Sequence, residues 1–205
     1  MVRTAVLVSG GGTNLQALID AQKNQIIKSG EISLVISNNA NAYALQRAKD
    51  NGIDSLVVLK KNFATFSDFE NEIIKNLVEN KIDLIVLAGF MSILSKNFTD
   101  TFKNRILNVH PSLIPSFCGE GFYGLKVHEK ALEYGVKITG ATVHFVNEIP
   151  DGGQIIMQKA VEILDDDTPE ILQKRVMEEA EWIILPKAVA LVAKQIKETK
   201  ERNDG

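Results

Sequence analysis

Five short apolar runs recur up to residue 109, each followed by a stretch with helical spacing or by a loop, and this alternation restricts the folds open to the chain. The runs cover residues 2–8, 31–37, 53–59, 82–88 and 106–109. Between them, Leu15, Leu18, Ile19 and Ile26 mark one helical face, and a short helix over 43–51 ends at Gly52. An amphipathic helix over 66–80 carries Phe66, Phe69, Ile73, Ile74 and Leu77 on one side. Ser95 caps a short helix containing Phe98 and Phe102. Strand-helix alternation of this kind predicts an α/β fold, an open doubly wound, mostly parallel sheet with right-handed crossovers.

The pattern changes after residue 115. A glycine- and aromatic-rich segment over 116–124 reads as a functional loop, and a helix over 125–134 ends at Gly135. Residues 138–146 and 154–163 alternate apolar and polar, which predicts an antiparallel C-terminal portion of the sheet. Thr168 caps the final helix with Pro169 at its first position, and Pro186 predicts a kink or restart. The 205 residues suit one domain, 1–205, with a charged tail from about 197 expected to fray.

A net charge of −3 gives no basic surface that would announce a nucleic-acid partner. No uninterrupted apolar stretch reaches the roughly 18 residues a membrane span needs. The N-terminal apolar stretch lacks the h-region and cleavage site of a signal peptide. The single Cys118 rules out an internal disulfide and fits a reducing, cytoplasmic setting.

Two stretches carry chemistry. Ser9-Gly10-Gly11-Gly12-Thr13-Asn14 joins the first strand to the first helix. Strand, glycine loop and helix in this order present backbone N–H groups and a helix N-terminus to an anion, with Thr13 and Asn14 able to add donors and cap the helix. No Gly-Lys-Ser/Thr follows and no third glycine completes a dinucleotide fingerprint, so a tight turn with an N-cap is the plain alternative. The second stretch is Asn108-Val109-His110-Pro111-Ser112-Leu113-Ile114-Pro115. Residues two apart on a strand face the same side, so Asn108 and His110 point together at the carboxyl end of a parallel sheet, where ligands bind. An amide and an imidazole so aimed can polarise a carbonyl and move a proton.

Taken in order, Ser9-Gly10-Gly11-Gly12-Thr13-Asn14-Leu15-Gln16, Leu87-Ala88-Gly89-Phe90-Met91, the Asn108 to Pro115 block and Asp151-Gly152-Gly153 resemble the phosphoribosylglycinamide formyltransferases over about residues 2–186. The resemblance implies the formyltransferase fold and transfer of a formyl group from 10-formyltetrahydrofolate to the amine of 5'-phosphoribosylglycinamide in purine biosynthesis. The transfer passes through a tetrahedral intermediate and needs no metal. It further implies Asn108, His110 and Asp151 as catalytic groups, with Asp151 raising the pKa of His110. Gly12, Thr13, Asn14 and Glu181 become substrate contacts, Glu181 by its place ahead of Pro186. Met91, Ser92, Ile93, Leu94 and Asn108 become folate contacts. Partners are then the two small molecules, with neither nucleic acid nor membrane, and either a monomer or a homodimer.

Many relatives carry Arg where this chain has Ser92, and often Arg near Phe66; both differences bear on folate contact rather than on the chemistry. The 118–125 loop is longer than in the shortest relatives. Cys118 carries no mark of a nucleophile, and His128 and His144 read as structural. The same block occurs in formyltetrahydrofolate deformylase and methionyl-tRNA formyltransferase. Their usual N-terminal regulatory domain and RNA-binding domain, respectively, have no counterpart in the chain as read, and a module that only binds nucleotide is the non-enzymatic alternative.

Overall fold

The computed structural model describes residues 1–203. Its strands are β1 (Val2–Val8), β2 (Gly30–Ser37), β3 (Ser55–Val57), β4 (Leu84–Leu87), β5 (Ile106–His110), β6 (Ile138–Phe145) and β7 (Ile155–Glu162). Its helices are α1 (Thr13–Lys23), α2 (Tyr43–Asp50), α3 (Phe66–Glu79), α4 (Lys96–Thr101), α5 (Leu125–Tyr134), α6 (Pro169–Val176) and α7 (Trp182–Asn203).

The strands form one sheet in the order β3-β2-β1-β4-β5-β6-β7. The pairs from β3 through β5 are parallel, while β6 runs antiparallel to both β5 and β7. This is the expected α/β architecture. β1 and β4 are buried on both faces and read as continuous apolar runs, as parallel strands covered by helices must. One face packs against α1, α2, α5, α6 and α7 through residues such as Leu15, Ala44, Ala131, Leu172 and Val189. The other packs against α3 and α4 through Phe69, Ile73, Leu77 and Phe98. The chain changes face between β3 and β4, so the β1 and β4 ends bound the crevice of a doubly wound sheet.

Four expectations change. Ile26 lies beyond the end of α1 and is half exposed, because α1 stops at Lys23. The third strand shrinks to Ser55–Val57, an edge that pairs with β2 alone. α7 continues through Pro186; the disturbance lies upstream, where Met177–Glu181 form a π-helical turn between α6 and α7. Residues 197–203, expected to fray, are helical, and the rest of the expected tail, 204–205, lies outside the described residues.

Candidate active site

The glycine loop leaves β1 and enters α1 at Gly12, whose φ of 72° is left-handed. A Cβ there would lie 2.6 Å from the Ala44 Cβ, so α2 packs directly against the bend and only glycine fits. Nothing would meet a Cβ at Gly10 or Gly11, whose outer side is open. Among the described residues no side chain caps α1: Thr13 is its first residue rather than its cap. Its first-turn N–H groups therefore face outward without intrahelical acceptors.

Arg47, which sequence reading passed over, comes to this loop from α2. Its Nε donates to Gly11 O at 2.9 Å and its Nη1 to Gln16 Oε1 at 3.0 Å, and its guanidinium lies 5.1 Å from the Tyr43 ring centre. A fixed cation thus stands beside the outward N–H groups. Nothing in the sequence around Arg47 flags it, because the contact depends on the tight α1–α2 approach at Gly12.

Glu181 reaches the same place from the π turn. Asn14 Nδ2 donates to Glu181 Oε2 at 2.7 Å, and Thr13 Oγ1 lies 4.0 Å from Met177 Sδ. Burial pushes the Glu181 carboxyl above its usual range, and the Asn14 bond opposes this. Asn14 Oδ1 is buried without a hydrogen-bond partner among the described residues. The structure thus joins Gly12, Thr13, Asn14 and Glu181 at one end of the crevice.

Residues 89–95 follow β4 and form a wall beside the glycine loop. Met91 N donates to Ser9 Oγ at 2.8 Å and Asn38 Nδ2 to Ser92 Oγ at 3.2 Å, so the wall is tied to the ends of β1 and β2. Ser95 N donates to the buried Glu70 carboxylate at 2.7 Å. Met91 and Ile93 stand 60% and 65% exposed, as unburied apolar surface. Leu94 turns inward to the core with Phe98, so of Met91, Ser92, Ile93 and Leu94 it is the one that faces away from solvent.

Asn108 and His110 lie on β5 opposite His144 and Thr142 of β6. Asp151 arrives from the turn before β7 with a left-handed φ of 55°. A Cβ on Gly153 would fall 1.7 Å from Phe145 O, and one on Gly152 would fall 2.7 Å from Ile149 Cγ2. Only a glycine pair lets this turn close over the β5–β6 end. Asp151 Oδ2 then lies 3.5 Å from His110 Nδ1 and Oδ1 lies 3.5 Å from His144 Nε2. Gly119 N donates to Asp151 Oδ2 at 2.9 Å, and His110 Nε2 faces Phe117 O at 2.9 Å.

Thr142 supports the block behind His110. Its hydroxyl donates to Ser112 O at 2.7 Å and accepts from Ile114 N at 3.1 Å and Gln158 Nε2 at 2.9 Å. His144, taken from sequence as structural, stands inside the site between Asn108 and Asp151. The signal that finds it is the antiparallel register, which sets His144 directly across from Asn108.

The expected rise of the His110 pKa is reversed. Burial lowers it, since the residue is 4% exposed, and the pull of Asp151 and the Phe117 carbonyl toward the charged form is the smaller effect. His110 therefore rests as neutral imidazole at neutral pH. Burial pushes the Asp151 carboxyl up, but the neighbouring His144 and His110 rings and the Gly119 N–H hold it below the usual range. Burial and Asp151 both push the Cys118 thiol up, which keeps it protonated.

An amide, an imidazole and a carboxylate thus stand at the end of a parallel strand, in a sheet whose β1 end carries the open glycine loop and the uncapped start of α1. That is the equipment of an acyl-group transferase. Residues 2–189 match the family described as formyl transferase. The chain is 45% identical to phosphoribosylglycinamide formyltransferase of Haemophilus influenzae over 186 residues, 91% of this chain and 84% of that one. It is 46% identical over 191 residues, 93% of its length, to part of the human trifunctional purine biosynthetic protein adenosine-3. It spans 14% to 18% of the length of that protein and its trifunctional counterparts in other animals. The crystal structure of glycinamide ribonucleotide transformylase 1 from Symbiobacterium toebii superposes with a TM-score of 0.89 at 42% identity, covering 95% of this chain and 89% of that one. The chain belongs to the phosphoribosylglycinamide formyltransferase family.

Proposed function

We propose that this chain transfers the formyl group of 10-formyltetrahydrofolate to the amine of 5'-phosphoribosylglycinamide, a step of purine biosynthesis. The observation that carries this reading is the joint placement of Asn108, His110 and Asp151 at the β5 end with an open glycine loop across the same crevice. The first-turn N–H groups of α1 and the nearby Arg47 suit a phosphate ester. The unpartnered Asn14 Oδ1 and the Glu181 carboxylate suit the hydroxyls or the amine of the same substrate. Met91 and Ile93 offer apolar surface of the kind that a flat ring covers.

The folate supplies the activated one-carbon group. Asn108 donates an amide N–H to the formyl oxygen as negative charge develops there. His110, neutral at rest, takes the proton that the attacking amine must lose and returns it on the leaving side. Asp151 steadies the imidazolium while it holds that proton. No membrane partner enters this account, and no described helix is long and apolar enough to cross a membrane. Both substrates are small and water-soluble, and we place the reaction in the cytoplasm, with the free Cys118 in keeping.

The test is to incubate the protein with 10-formyltetrahydrofolate, with and without the ribonucleotide, and follow the folate absorbance. Formyl loss only when the ribonucleotide is present is the expected result. Loss without it would make the protein a hydrolase, and no loss in either tube would leave a binding module.

A further inference from the structure

His144 is 1% exposed, yet every polar atom of its ring is engaged. Nδ1 lies 2.8 Å from Phe145 O. A carbonyl oxygen only accepts, so Nδ1 carries a hydrogen. Nε2 lies 3.2 Å from Asn108 Nδ2, an amide nitrogen that only donates. In the neutral ring Nε2 then holds the lone pair and receives one Asn108 N–H. The tautomer this requires, hydrogen on Nδ1, is fixed by the bond at the other nitrogen.

The same Nε2 also stands 3.5 Å from Asp151 Oδ1. These two contacts exclude each other. A proton on Nε2 would turn it from acceptor to donor, aim it at Asp151 and break the Asn108 bond. While Asn108 occupies the lone pair, Asp151 has a single imidazole to serve, His110, whose Nδ1 lies 3.5 Å from Oδ2.

We propose that His144 is a positioning residue: as the neutral Nδ1–H tautomer it orients the Asn108 amide and reserves Asp151 for His110. One Asn108 N–H is spent on His144, and the rotation of the amide is thereby set, so the second N–H is aimed rather than free. The inference rests on the proposed formyl transfer for its consequence in turnover, but its structural content stands in the resting protein.

The experiment reads that content directly. In protein labelled with ¹⁵N histidine, long-range ¹H–¹⁵N spectra at neutral pH distinguish the two neutral tautomers and the imidazolium, and loss of one spin system in His144→Gln assigns the ring. The expected pattern is hydrogen on Nδ1 and a bare Nε2. A hydrogen on Nε2, alone or as imidazolium, overturns the proposal, whatever the protein does to folate.

The kinetic arm uses two variants. His144→Gln keeps an acceptor for the Asn108 amide and is expected within about tenfold of the parent kcat. His144→Leu has none and is expected to lose about 10²-fold in kcat, the scale of one misplaced oxyanion donor, with both KM values within about threefold. Equal kcat in the two variants overturns the proposal. Failure of formyl transfer in the parent protein would remove the functional reading while leaving the tautomer measurement decisive.

Discussion

His128 is fully buried on α5, and among the described residues neither ring nitrogen has a hydrogen-bond partner. Burial first, then the charge of His110, lowers its pKa from 6.5 to about 4. The sign of the pH effect follows. Below pH 6.5 the unfolded chain takes up a proton that the native ring refuses, so stability falls as pH drops from about 6.5 to about 4. The full loss is about 3 kcal/mol at 1.36 kcal/mol per pKa unit. His128→Leu, similar in volume and without a titrating group, is expected to keep more of its neutral-pH Tm when melted at pH 4.5. An acid-side Tm drop equal to that of the parent would contradict this. At His110 the expectation concerns turnover. His110→Ala removes the proton carrier and should lower kcat by about 10²–10⁴-fold with little change in either KM. A kcat near that of the parent would take His110 out of the mechanism.

Among the elements, the β1–α1 junction separates packing from binding. Gly12 faces α2 with no room and a left-handed φ, whereas Gly11 faces open space. Gly12→Ala should therefore cost stability, about 1 kcal/mol for the backbone alone and more for the Ala44 collision. Gly11→Ala should leave Tm within about 2 °C while raising the KM for the ribonucleotide more than that for the folate. An unchanged ribonucleotide KM would count against this loop as the phosphate cradle. The contrast also shows what local sequence patterns reveal. β1, β2, β4 and the α1, α3 and α5 helices were legible because burial on two faces or one stripe imprints a period on the residues. The tie between Asn108 and Asp151 was not, since it depends on which strand becomes β5's second neighbour and in what register. His144, Arg47 and the Thr142–Gln158 brace are all contacts across elements far apart in sequence, and no periodicity records them. The pKa of His110 escaped for a related reason: proximity to Asp151 follows from a motif, but depth of burial follows from the whole loop above it.

For the whole molecule, α7 is the longest of the helices that cover one sheet face. Leu185, Ala188, Val189, Val192 and Ala193 are buried, and a Cβ on Gly30 would meet the Ala193 Cβ at 3.2 Å. Beyond that point the helix is mostly exposed, and its Lys200 pairs with Asp83 at the surface. Exposed pairs of this type contribute about 0–1 kcal/mol. Ending the chain after Lys197 should therefore lower Tm by no more than a few degrees. Ending it after Lys187 strips the apolar side chains from β1 and β2 and should give insoluble or unfolded protein. Native-like solubility and melting in the shorter form would refute this account of α7. We further expect the full chain to unfold in one transition, with circular dichroism and tryptophan fluorescence from Trp182 superimposing; two separated transitions would divide it.

The groups that orient the two site histidines and Asp151 from outside are peptide groups: Phe117 O, Phe145 O and the Gly119 N–H. Point mutation replaces side chains and leaves the main chain in place, so no substitution at 117 or 145 can delete an acceptor, and only proline at 119 would erase the donor. Over generations, the side chains at positions 117 and 145 are free to drift with their packing while the proton-handling geometry is inherited unchanged. Variation at those positions among descendants of this chain should then say little about whether a descendant still turns over its substrate.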